Sequence, residues 1–105
     1  MAIPDYQSIM LPLLKFSSDK AEHSLHEAIE HISKIFNLSD EEKRKLLSSG
    51  KQAIISNRTA WALTYLKKAM LLESTRRSYF KITDRGLIEL KAEPKLINHR
   101  FSQAV

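Results

Sequence analysis

The chain contains no cysteine. That absence excludes a disulfide framework, cysteine-ligated zinc and thiol catalysis together. Only two glycines occur, Gly50 and Gly86, too few for a glycine-rich loop that cradles phosphates. Uninterrupted apolar runs reach only a few residues, far short of the roughly 20 needed to span a bilayer. A basic start followed by an apolar segment is missing as well, so no secretory signal is expected. These absences leave a soluble, cytoplasmic protein without a membrane partner as the expectation. Its 105 residues suit one compact domain. Hydrophobic residues at 43% can fill a core, and charged residues at 28% argue against disorder.

Positive charge is in excess, with a formal net charge of +5, and it is unevenly placed. Residues 1–48 hold six Lys/Arg against eight Asp/Glu, whereas residues 49–105 hold eleven against four. A chain that concentrates its cations in one half presents a directional field to an anionic partner. Nucleic acid is the first candidate partner, and an acidic protein or membrane surface the second. The bland alternative is a basic, highly soluble surface with no dedicated partner.

The apolar spacing predicts helices followed by a hairpin. Tyr6, Ile9, Met10, Leu13 and Leu14 form one face of a first helix over about 5–17. Pro12 lies inside it and predicts a kink or a restart. Ser24 with Glu27, and Ser39 with Glu42, have the spacing of capping boxes that open a second helix and a short third one, 40–47. A fourth helix over about 56–70 turns Thr59, Leu63, Leu66 and Met70 inward. Asn57, Trp61, Thr64 and Lys68 fall on the opposite side, flanked by Arg58 and Tyr65. Leu71–Glu73 and Tyr79–Ile82 then flank a polar turn, 74–78, and Thr83 can cap a last helix ending before Pro94. The expected fold is mainly α, of the α+β class: a winged helix-turn-helix whose helices pack with a small C-terminal β-hairpin wing. In that arrangement the helix before the hairpin enters a groove, and the wing lies along the phosphate backbone.

Several segments, in order, resemble the N-terminal domain of Mrr-type restriction endonucleases. They are Pro4-Asp5-Tyr6-Gln7, Met10-Leu11-Pro12-Leu13-Leu14-Lys15, Glu22-His23-Ser24-Leu25, Asn57-Arg58-Thr59-Ala60-Trp61-Ala62 and Tyr65-Leu66-Lys67-Lys68-Ala69. Leu71-Leu72-Glu73 and Ile82-Thr83-Asp84-Arg85-Gly86 complete the match, which runs from Ala2 to about Ala92. The resemblance implies a winged-helix domain that binds double-stranded DNA for a type IV, modification-dependent restriction endonuclease, a class of enzyme that cuts methylated foreign DNA, with the reading of methylation by this domain left open. Residues 1–93 would form that domain, and 94–105 a tail or the start of a linker to an absent nuclease domain. The chain alone would be no enzyme, with no catalytic residues, no metal site and no cofactor. Mg²⁺ would belong only to the absent nuclease domain. Two features depart from the family: Met70 stands where glycine is common, and the glycine often found in the wing near Ser78 is missing, which puts the helix end and the tight wing turn in question.

Ten residues are candidates for DNA contact. Arg58 can grip guanine O6 and N7, with a solvated or paired arginine as the alternative. Asn57 can pair with adenine, and helix capping is an equal alternative. Trp61 and Tyr65 can meet thymine methyls or stack on an exposed base, against a packing role that is favoured for Tyr65. Thr64 shares their outward face. Lys51, Lys68, Arg76, Arg77 and Lys81 suit phosphate contacts, which give affinity and salt dependence without reading sequence.

An enzymatic reading finds little support. His23, His26 and His31 lack same-face spacing and a third ligand for a metal. Triplets of acid, any residue and lysine occur at Glu41-Glu42-Lys43, Glu89-Leu90-Lys91 and Glu93-Pro94-Lys95. They fall on helices or a proline turn rather than on a strand with a preceding aspartate. The functional alternative is a winged-helix protein-interaction or dimerisation module, and self-association into a homo-oligomer stays open.

Overall fold

A computed structural model describes residues 3–92, so the expected tail, 94–105, lies outside the described residues. Helix α1 spans Tyr6–Phe16, and the Asp5 side chain caps it by accepting the Ser8 N–H at 2.8 Å. It runs unbroken through Pro12, contrary to the expected restart. Ile9 and Met10 before the proline and Leu13 and Leu14 after it are all fully buried. Both halves are therefore held against the same core. A 3₁₀ turn, Ser17–Asp19, ends at Lys20 in the left-handed conformation.

A two-residue strand, β1 (His23–Ser24), leads directly into helix α2 (Leu25–Ile35). The Ser24 capping box closes in both directions: Oγ accepts the Glu27 N–H at 3.1 Å, and the Glu27 carboxylate accepts the Ser24 N–H at 3.2 Å. Ser39 and Glu42 repeat the device for helix α3, Asp40–Arg44. That helix stops short of the expected end at residue 47. Leu46 bridges to Ala53 instead, and the Leu47 N–H donates to the Gln52 carbonyl, so the closing residues tie the loop that follows.

Helix α4 spans Ile54–Lys68, beginning two residues earlier than the spacing suggested. Ile55, Thr59, Ala62, Leu63 and Leu66 are its buried face, which packs mainly on α1 and α2. Met70, expected inward, is 55% exposed because it lies past the helix at φ 62°. There the Met70 N–H donates to Lys67 and the Leu71 N–H to Leu66, the paired bonds of a Schellman end. A helix end of the kind glycine favours is thus formed without glycine.

Strands β2 (Leu72–Arg76) and β3 (Tyr79–Ile82) form an antiparallel hairpin. Its turn is Arg77–Ser78, shorter than the five residues expected, with Ser78 at φ 65°. Strand β1 pairs with β3, giving a sheet of order β1-β3-β2. Helix α5 (Asp84–Lys91) follows, capped by Thr83, whose Oγ1 accepts the Gly86 N–H at 3.0 Å. The same hydroxyl donates to the Met70 carbonyl at 2.6 Å, fastening α5 to the end of α4. A continuous apolar core joins α1, α2, α4 and the hairpin, with Phe80 among its largest buried side chains. The α+β expectation holds.

Candidate nucleic-acid interface

The outward stripe of α4 follows from its inward one. Residues three and four apart share a face, so burying Ile55, Thr59, Ala62 and Leu66 leaves Asn57, Trp61, Thr64 and Lys68 toward solvent. Trp61 is 48% exposed, a large apolar side chain left in water on the face the sequence assigned to it. Asn57 donates from Nδ2 to Gln52 Oε1 at 3.2 Å. It does not cap the helix, because Ala53 occupies the N-cap position. Thr64 donates its hydroxyl back to the Ala60 carbonyl at 3.0 Å, a common way for a mid-helix threonine to satisfy itself.

An aromatic ladder stiffens this face. Tyr65 stacks on Tyr6 of α1, with ring centroids 5.0 Å apart and planes 20° apart. Trp61 leans on Tyr65 at 6.1 Å, and the Lys68 ammonium lies 5.4 Å from the Tyr65 ring centre. Tyr65 therefore has the packing role favoured for it, and Tyr6 is a member that the sequence reading did not single out as functional. Arg58 turns toward the protein: its Nη1 donates to the carbonyls of Ile3 at 2.7 Å and Pro4 at 3.2 Å, and the side chain is half-buried. It clamps the segment leading into α1, which is the paired alternative weighed for it.

The hairpin carries a second group. Arg76 lies with its guanidinium carbon 3.8 Å from the Tyr79 ring centre and donates from Nη2 to Glu22 Oε1 at 3.3 Å. The Thr75 hydroxyl donates to the other Glu22 oxygen. The Thr75 bond, then the nearby Arg76 and Lys81 charges, hold the Glu22 carboxyl below its ordinary range. Arg77 is exposed in the turn, and Lys81 is exposed on β3, opposite Glu73 of β2. Lys67 joins the two groups by donating to Ser74 Oγ at 3.3 Å, so the end of α4 meets the hairpin. Lys51 stands exposed in the loop that leads into α4. Glu22 and Thr75 were not anticipated. They lie 53 residues apart in sequence, and no local spacing announces such a contact.

Among the described residues, no group of three His, Asp or Glu side chains is arranged to hold a metal ion. His23 bonds to Asp19 and Glu27, while His31 packs on Phe16. The triplets at 41–43 and 89–91 include helical residues of α3 and α5, and the one at 93–95 lies outside the described residues.

Residues 6–92, most of the chain, match the Mrr N-terminal domain family. The chain belongs to that family. A type IV methyl-directed restriction enzyme, EcoKMrr of Escherichia coli (strain K12), is 29% identical over 99 residues. That alignment takes in 90% of this chain but 31% of the relative, so this Mrr N-terminal domain protein spans about a third of its relative's length. No solved structure matches it. Met70 and Ser78 both take left-handed backbone in this member, with φ of 62° and 65°. No described helix of this Mrr N-terminal domain is long and apolar enough to cross a membrane.

Proposed function

We propose that this chain is a winged-helix domain that binds double-stranded DNA, with α4 as the groove-entering helix and the β2–β3 hairpin as the wing. The element order and the β1-β3-β2 sheet support that reading of the fold. The observation that carries it is the outward stripe of α4, with Trp61 and Lys68 exposed and Asn57 and Thr64 half-buried, continued through Lys67 and Ser74 into a cationic hairpin. A helix of this kind fits the major groove, while Lys51, Lys68, Arg76, Arg77 and Lys81 supply phosphate contacts. Asn57 and Trp61 are the foremost base-reading candidates, since Arg58 is engaged with backbone carbonyls. Residues 1–93 then act as a target-recognition unit for a cytoplasmic restriction enzyme, non-catalytic and free of cofactors by themselves. The methyl-directed relative makes methylated duplexes the substrates to compare.

The test is binding to methylated and unmethylated duplexes from about 50 to about 200 mM salt. Five phosphate contacts correspond to a slope of log K against log salt of about −4.5. Arg76→Ala with Arg77→Ala should weaken binding at every sequence and flatten that slope by about 2. Binding indifferent to salt and to these substitutions would overturn the proposal. A stable oligomer that ignores every duplex would favour the protein-interaction module.

A further inference from the structure

We propose that the bulged corner of the hairpin is a phosphate-binding fork for the nucleic-acid backbone, built by Thr75 and Arg76 and occupied in the free protein by the carboxylate of Glu22. The inference rests on the DNA-binding reading above and names where on the hairpin one phosphate sits.

The register of the hairpin is the first support. Ser74 faces Phe80 and Arg76 faces Tyr79, so two successive partners on β3 are matched by positions 74 and 76 on β2. Thr75 is the extra residue of a β-bulge. In a regular strand neighbouring side chains point to opposite faces. The bulge removes that alternation, and both Thr75 and Arg76 reach the same carboxylate, one at each oxygen. A hydroxyl donor beside a guanidinium, converging on two oxygens of one anion, is equally a donor set for a phosphodiester.

The second support is how the two sides are held. Arg76 is braced by the Tyr79 ring at 3.8 Å, independently of Glu22. It keeps its position if the carboxylate leaves. Glu22 belongs to the segment before β1, not to the hairpin, and its side chain is 37% exposed. It can swing into solvent without disturbing the hairpin backbone. Lys81 adds positive field at the same spot.

Glu22 therefore acts as an internal competitor. Duplex phosphate must displace it, which lowers the affinity of every duplex that reaches the fork by the same factor. An exposed ion pair of this kind corresponds to a competition of about two- to fivefold.

The experiment uses the 105-residue chain as wild type, Glu22→Gln, and Glu22→Gln combined with Thr75→Val. Duplex affinity is measured across salt, and inorganic phosphate is titrated while the amide resonances of Thr75, Arg76 and Tyr79 are followed. Glu22→Gln should tighten duplex binding about two- to fivefold. Phosphate should move the Thr75 and Arg76 amides at a lower concentration than in wild type, and Thr75→Val should reverse most of the gain. Unchanged or weaker duplex binding by Glu22→Gln at an unaltered melting temperature overturns the fork. So does phosphate that shifts amides elsewhere but not these. If phosphate gathers at the fork while every duplex is ignored, the fork stands and the DNA-binding reading falls.

Discussion

His23 shows how one side chain can tie three segments together. Its Nε2 lies 2.9 and 3.0 Å from the two Asp19 oxygens, and its Nδ1 3.2 Å from Glu27 Oε2. A neutral imidazole has one N–H and can donate to only one of these carboxylates, whereas the imidazolium donates to both. Burial beside Phe16 works against the charged form, but the bonds and charges of Asp19 and Glu27 outweigh it and raise the pKa above 6.5. Because the folded-state value is the higher one, the stabilisation is complete below about pH 6.5 and fades as pH climbs through the folded pKa. The carboxyls of Asp19 and Glu27 are lowered, chiefly by their bonds to His23, so their share is lost only in acid. Thermal unfolding from about pH 6 to about pH 9 should therefore show a falling melting temperature, and His23→Gln should flatten that fall. A melting temperature that rises over this range in the wild type would contradict the linkage. Side-chain roles were only partly legible in advance. Trp61 was placed by helical phase alone, which any amphipathic helix reveals. The bond from Arg58 to the Ile3 carbonyl joins positions 55 apart through backbone, and no residue type at position 3 announces it.

Elements announced by short-range chemistry were readable, and those made by distant pairing were not. The Ser24–Glu27 and Ser39–Glu42 boxes locate the starts of α2 and α3 because every atom involved lies within four residues. Strand β1 went unseen since two residues carry no alternation, and its existence depends on Tyr79 and Phe80 half a chain away. The end of α3 was overestimated for a similar reason: Leu46 is claimed by Ala53 across a loop. The ends of α4 and of the hairpin turn carry a local cost, with Met70 and Ser78 both at left-handed φ that suits glycine better. Met70→Gly or Ser78→Gly should each raise unfolding free energy by about 1 kcal/mol in denaturant titrations. Both side chains are exposed, so little packing is lost. A destabilisation by either glycine would mean that the side chain contributes more than the backbone strain removes.

At the scale of the molecule, the hairpin, α4 and α5 meet at one tight crossing. A Cβ on Gly86 would lie 2.3 Å from the Leu71 carbonyl oxygen and 2.6 Å from Ile82 Cγ1, closer than such atoms approach. Backbone cannot yield there without parting α5 from the base of the hairpin, where Thr83 also ties in. Gly86→Ala should accordingly lower global stability by about 3 kcal/mol or more, read from cooperative unfolding. A loss below about 1 kcal/mol would show that the crossing can relax. The order of the sheet has its own consequence. With β3 in the centre, the free borders among the described residues are a two-residue strand and a kinked one, β2, which carries Glu73 and Arg76 in water. Neither border offers a flat, apolar template onto which a neighbouring copy could add its own strand. Crowded along an extended anion, many such molecules could therefore lie side by side without polymerising through their sheets.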